Sequence, residues 1–189
     1  MNQVEAIRSF LALEIPLAQR MRLAEEQQAL RRSLPSARWV RPDGLHLTLK
    51  FLGEVARDRL GSLASDCRTR LATAAPVRVT LAGSGFFPGP TRPRVAWVGG
   101  TAEPIAALVE AVESAAERQG LPRERRRWAV HLTLARLREP WPAGAVRSYL
   151  EWGERLTLEP FTCVEVVLFA SSLEPTGAVY TALERMPLS

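Results

Sequence analysis

At 189 residues, with 47% hydrophobic and 24% charged residues, the chain has an ordinary globular make-up and can bury roughly 70% of its unfolded surface, which excludes disordered and fibrous classes. Its 25 Lys and Arg against 20 Asp and Glu leave a formal charge of +5, and Lys50 is the only lysine. An arginine-rich basic surface suits phosphate, because a planar guanidinium grips it with two parallel hydrogen bonds, although a GC-rich genome gives the same bias.

Residues 6–15 read as a strand stopped by Pro16, and Pro16 to Leu34 as a helix with proline at its start and Pro35 beyond its end. Trp39-Val40 is extended, and Pro42-Asp43-Gly44 is a turn that feeds the strand from Leu45 to Leu52. Leu60, Leu63, Ala64, Cys67 and Leu71 fall at helical spacing, so residues 56–74 are expected to form an amphipathic helix. Val77, Val79 and Leu81 alternate with other residues in a strand expected to close at Gly83-Ser84-Gly85. A proline-rich loop at 88–93 leads to a strand from Arg94 to Val98 with a Gly99-Gly100 stop. Ile105 to Ala116 is helical, with Gly120 and Pro122 as its terminator. After the arginine run of 123–127 comes the strand from Val130 to Arg136, then a short helix at 143–152 and strands at 155–159, 162–170 and 178–184. The pattern is α+β with largely antiparallel sheet. Cys67 and Cys163 fall in apolar patterns and read as reduced core thiols. No apolar run reaches the eighteen or so residues that span a bilayer, and the N-terminus has no leader-like pattern, so the expected location is the cytoplasm with no membrane partner.

Both of the chain's histidines sit in the same tetrapeptide, His-Leu-Thr-Leu, at 46–49 and 131–134. Side chains two apart on a strand share a face, so His46 stands beside Thr48 and His131 beside Thr133, with the leucines behind them. The recurrence suggests an internal duplication, two lobes facing each other across a cleft that holds two imidazoles and two hydroxyls. One imidazole can take a proton from a nucleophile while the other gives one to a leaving oxygen, because the ordinary histidine pKa of about 6.5 lets either form exist near neutrality. No H-x-H, H-E-x-x-H or cysteine cluster points to a metal, and no cofactor is expected. Lys50 shares the face of His46 and Thr48 by alternation, whereas Phe51 joins the leucines in the core. Arg136 falls on the leucine side unless a bulge or the strand end re-aims it. Arg127 and its neighbours, beside Trp128, read either as a solvated loop or as a groove that contacts nucleic-acid phosphates and stacks a base; Trp39 and Phe87 are weaker stacking candidates.

At these residues the chain resembles the two-histidine (2H) phosphoesterases, and among them the RNA 2′,3′-cyclic phosphodiesterases formerly called 2′-5′ RNA ligases. The likeness runs from Arg8-Ser9-Phe10-Leu11-Ala12-Leu13 through Trp39-Val40-Arg41-Pro42 and His46 to Val55, then Pro93 to Gly99, His131 to Arg136, and Leu168 to Leu173 with Tyr180. The resemblance implies a single bilobal domain over residues 1–189, with two mainly antiparallel sheets related by pseudo-twofold duplication, helices outside and a central cleft. It also implies metal-independent hydrolysis of RNA 2′,3′-cyclic phosphate ends to 2′-phosphomonoesters, possible reverse 2′-5′ ligation, RNA as the partner, and a monomer. By position, His46 would be the proton donor to the departing 3′ oxygen and His131 the acceptor that activates water. Thr48 and Thr133 would hold phosphate oxygens, with Arg136, Lys50, Trp128 and Arg127 as the substrate-binding candidates. The chain departs from the family pattern at Val130, where a proline is expected before the second histidine. The alternatives are the same apparatus on a 2′-5′ oligonucleotide or on ADP-ribose 1″,2″-cyclic phosphate, and a non-catalytic basic RNA-binding module.

Overall fold

In the computed structural model, which describes residues 5–175 and 177–189, β1 (Ala6–Glu14) leads to α1 (Leu17–Ser33), the two-residue β2 (Arg38–Trp39) and β3 (His46–Ala56). Next come α2 (Arg57–Leu71), β4 (Val77–Phe87), β5 (Val95–Glu103), α3 (Ala106–Arg118) and β6 (Leu132–Arg136). The chain finishes with α4 (Ala143–Arg155), β7 (Phe161–Cys163), β8 (Glu165–Glu174) and β9 (Gly177–Pro187). Among the described residues no helix is long and apolar enough to cross a membrane.

The strands form two sheets, ordered β3-β1-β8-β9 and β2-β6-β5-β4-β7, and the pairings are antiparallel. With β2 set aside, the orders correspond: each sheet begins with a His-Leu-Thr-Leu strand, β3 or β6, followed by its antiparallel neighbour, β1 or β5. The third strand is exchanged between the repeats. β4 follows α2 in the first half but lies beside β5, and β8 follows α4 in the second half but lies beside β1. The expected duplication is therefore interlocked, and leucines from both sheets share one core with α2 and α3, including Leu11, Leu47, Leu63, Leu81, Leu132 and Leu168. A second cluster seats Leu30 of α1 and Tyr149 of α4 on Phe86, Ala96 and Ala135 of the second sheet. Cys67 and Cys163 are buried free thiols, and burial pushes each pKa up to about 12.

Beyond shifts of a few residues at element ends, four segments differ from expectation. β4 continues through Gly83-Ser84-Gly85 because a bulge between Leu81 and Ser84 takes up the irregularity, with Gly83 at φ +70°, and because bare Gly85 lets the Trp97 ring lie within 2.3 Å of where a Cβ would stand. β5 likewise runs past Gly100, whose φ of +146° a side chain would rarely adopt and whose Cβ would sit 2.0 Å from the Thr80 carbonyl. The strand expected at 155–159 does not form: Arg155 closes α4, and residues 156–160 belong to no strand, although Leu156 and Leu158 are buried and Thr157 is exposed. The strand expected at 162–170 is two strands, broken at Val164.

Candidate active site

β3 and β6 lie against each other and bring the two tetrapeptides to one cleft. Leu47, Leu49, Leu132 and Leu134 are buried, and burying a leucine is worth about 1.5–3 kcal/mol. A one-residue slip would exchange these leucines with His46, Thr48, His131 and Thr133, so the core itself fixes which face the polar groups occupy.

Both strands then break alternation at the same place. Opposite β1, Thr48 pairs with Ala12 and Lys50 with Leu11, so Leu49 is the extra residue of a bulge. Opposite β5, Thr133 pairs with Trp97 and Ala135 with Ala96, so Leu134 is extra in the same way. Each bulge turns the residue five places after the histidine into the cleft: Phe51 in the first repeat and Arg136 in the second. Arg136 thus lines the cleft as its candidacy required. Phe51 is 65% exposed there and is not a core residue.

The same bulge removes Lys50 from the substrate-binding candidates. Its side chain is turned to the opposite face and buried, with Nζ 2.7 Å from Glu113 Oε2 on α3 and 2.8 Å from the Pro122 carbonyl. Trp128 is also corrected. It is half-buried, packs on the core and donates its indole N–H to the Thr48 carbonyl at 2.8 Å, so it holds the first bulge instead of facing the cleft. The second bulge has a corresponding support in Gln27 of α1, whose buried amide donates to the Leu134 carbonyl at 3.1 Å and the Val40 carbonyl at 3.0 Å. Arg127 is exposed and is not among the residues lining the cleft. In the same run, Arg123 is ion-paired with Glu110 and Glu117.

Each imidazole is oriented identically. Nδ1 of His46 lies 2.8 Å from the Gly44 carbonyl and Nδ1 of His131 lies 2.8 Å from the Ala129 carbonyl. A carbonyl only accepts, so Nδ1 carries the hydrogen in both rings and Nε2 is left for chemistry. Val130, in place of the expected proline, keeps this arrangement: it is buried before His131 just as Leu45 is before His46. His46 is half-buried, its centroid 4.7 Å from the Phe10 ring and 5.0 Å from the Tyr180 ring, which meets it edge-on. Among the described residues the one aromatic ring beside His131 is Phe87, at 5.5 Å. Burial pushes the His46 pKa down to about 4; the Gly44 carbonyl opposes the shift, and Arg136 and His131 add to it.

The cleft has a volume of about 590 Å³. Both histidines, both threonines and Arg136 line it, together with Arg8, and among the described residues no carboxylate does. Sequence reasoning missed Arg8, Phe10, Phe51 and Tyr180 as cleft residues; Arg8, Phe10 and Tyr180 belong to the stretches that carry the family likeness. Among the described residues no group of three or more His, Cys, Asp or Glu is placed to hold a metal ion. Two imidazoles with free Nε2 atoms, two hydroxyls and two arginines around one cavity can bind a tetrahedral anion and move a proton onto and off its oxygens.

The sequence profile described as LigT like phosphoesterase matches residues 13–97 and again 98–180. The chain is 34% identical to the RNA 2′,3′-cyclic phosphodiesterase of Thermus thermophilus over 96% of its length and 90% of that protein's. It is 28% identical to the protein of that name from Methanothermobacter thermautotrophicus, over 94% and 97% of the two chains. Among solved structures, the Thermus thermophilus protein TT0787 superposes with a TM-score of 0.79 at 29% identity, covering 96% of this chain and 98% of that one. Escherichia coli LigT complexed with 3′-AMP does so with a TM-score of 0.74 at 27% identity, covering 98% and 99%.

Proposed function

Because the chain belongs to the LigT-like phosphoesterase family, we propose that it hydrolyses the 2′,3′-cyclic phosphate at an RNA end to a 2′-phosphomonoester, using His46 and His131 as a proton-transferring pair and no metal. The observation that carries this reading is the repetition around one cavity of a complete half-site: an imidazole fixed through Nδ1, a threonine two residues on, and a bulge that turns the fifth residue inward. In-line displacement at phosphorus needs two proton-handling groups, one for the entering and one for the leaving oxygen, and two facing half-sites supply them.

In this reaction water attacks phosphorus as its proton passes to Nε2 of His131. The bond from phosphorus to O3′ breaks as His46, in its imidazolium form, gives its Nε2 proton to that oxygen and keeps the Nδ1 hydrogen on the Gly44 carbonyl. The phosphate stays on O2′. Charge growing on the non-bridging oxygens is met by the hydroxyls of Thr48 and Thr133 and by the Arg136 guanidinium. After turnover His131 holds the extra proton and His46 lacks one, and exchange with solvent resets both.

The electrostatics of the free cleft favour a second reading of the roles. With its pKa near 4, His46 is neutral at pH 7 and suits an acceptor better than a donor. The diester substrate brings a negative charge against the ring, which favours the charged imidazole and restores the donor role on binding.

Incubated in EDTA with a short RNA ending in a 2′,3′-cyclic phosphate, the protein is expected to open the ring, and phosphorus NMR should show a 2′-phosphate as the only product. Activity that disappears on chelation, or a 3′-phosphate product, would overturn the metal-free step or the placement of the leaving oxygen.

A further inference from the structure

The edge strand β2 pairs with β6 so that Arg38 stands directly opposite Arg136. Like charges directly opposite each other on a ladder are destabilising. Here both side chains are exposed, and among the described residues neither is in an ion pair or side-chain hydrogen bond. Arg41, close by, is different: it is held bidentately by Asp43, at 2.7 and 3.2 Å, so its charge is already met.

Arg38 and Arg136 together line a groove of about 50 Å³ that adjoins the catalytic cleft, sharing Val40, Gly44, Arg136, Ala178 and Tyr180 with it. The groove is small beside the cleft, about 50 Å³ against about 590 Å³, and suits a compact polar group. Two uncompensated guanidiniums on a pocket of that size make an anion site, and Arg136 reaches both spaces. Resting on the reaction proposed above, we infer that Arg38 and Arg136 hold the phosphodiester that joins the terminal nucleotide to the one before it, so that the chain selects oligonucleotide ends over mononucleotides.

The test compares three substrates in the full-length protein: a dinucleotide ending in a 2′,3′-cyclic phosphate, the same dinucleotide with an uncharged methylphosphonate linkage, and a nucleoside 2′,3′-cyclic phosphate. The charged dinucleotide is expected to have the highest kcat/KM, and Arg38→Gln to cut its advantage over the other two about tenfold, the usual size of one hydrogen bond to a charged group. The slope of log(kcat/KM) against log[salt] for the charged dinucleotide should become shallower by roughly 0.7. Arg38→Lys should recover part of the advantage. The inference is overturned if the parent does not distinguish the charged linkage from the uncharged one, or if Arg38→Gln lowers all three values in proportion. If no substrate turns over, the proposed reaction falls, and the arginine pair is then decided by calorimetry. Tighter binding of the dinucleotide 2′-phosphate than of its methylphosphonate form, lost in Arg38→Gln, supports it; equal binding overturns it.

Discussion

His46→Ala and His131→Ala are each expected to lower kcat on an RNA 2′,3′-cyclic phosphate by about 10²–10⁴-fold, the usual contribution of one general acid or base. The double variant should be far less impaired than the product of the two losses, because the groups act as a unit on one phosphorus. The two roles separate on a nucleotide p-nitrophenyl ester, whose leaving group departs without a proton. The variant lacking the donor should retain most of the parent's rate on that ester, whereas the variant lacking the acceptor should not. With His46 as donor, His46→Ala is the variant rescued. Rescue of His131→Ala in its place would establish the reversed roles that the low pKa of His46 in the free cleft favours.

The second large effect is on stability. Lys50 and Glu113 are buried together, their side chains 5% and 8% exposed, with Nζ satisfied also by the Pro122 carbonyl and Glu113 Oε2 also by the Glu124 N–H at 3.2 Å. Removing one partner strands the other charge in a low-dielectric interior, so Lys50→Met or Glu113→Leu should each cost about 3–5 kcal/mol, a large share of the roughly 5–15 kcal/mol that holds an ordinary domain together. The double variant Lys50→Met/Glu113→Leu should recover most of that loss, leaving a deficit of about 1–3 kcal/mol from the unpaired Pro122 carbonyl and Glu124 N–H. Urea unfolding of the three variants measures this, and single substitutions costing under about 1 kcal/mol would contradict the buried pair. The pair ties the residue after the Leu49 bulge to α3, so the same groups that stabilise the fold also hold the first half-site in shape.

The positions of His46, Thr48, His131 and Thr133 were legible because two-residue periodicity and the burial of the intervening leucines determine them locally. Lys50 and Phe51 were misread by one physical cause. A bulge is a property of pairing between two strands, and nothing within His46 to Leu52 announces that Leu49 will be skipped against β1. The same device in the second repeat brought Arg136 into the cleft, against simple alternation. The neighbours of Trp128 suggest either a solvated loop or a base-stacking groove, but its partner is the Thr48 carbonyl, 80 positions away, and a contact of that range leaves no local signal. Glycine pairs were read as strand ends; in β4 and β5 they are bulge and close-approach positions inside longer strands. The edge pairing of Arg38 with Arg136 was equally invisible, because β2 is two residues long and takes its register from β6.

The measurement that bears most directly on the central claim, that two half-sites form one phosphate site, is proton NMR titration of the imidazole Cε1–H signals with and without inorganic phosphate. There are only two histidines, so His46→Gln assigns both signals. In the free protein His46 should titrate near pH 4, well below the ordinary 6.5. Phosphate should shift both signals with a single saturation curve and raise the His46 pKa, because a nearby anion favours the charged ring. Phosphate that moves only one ring or neither, or a His46 that titrates near 6.5 and stays there, would contradict a shared site.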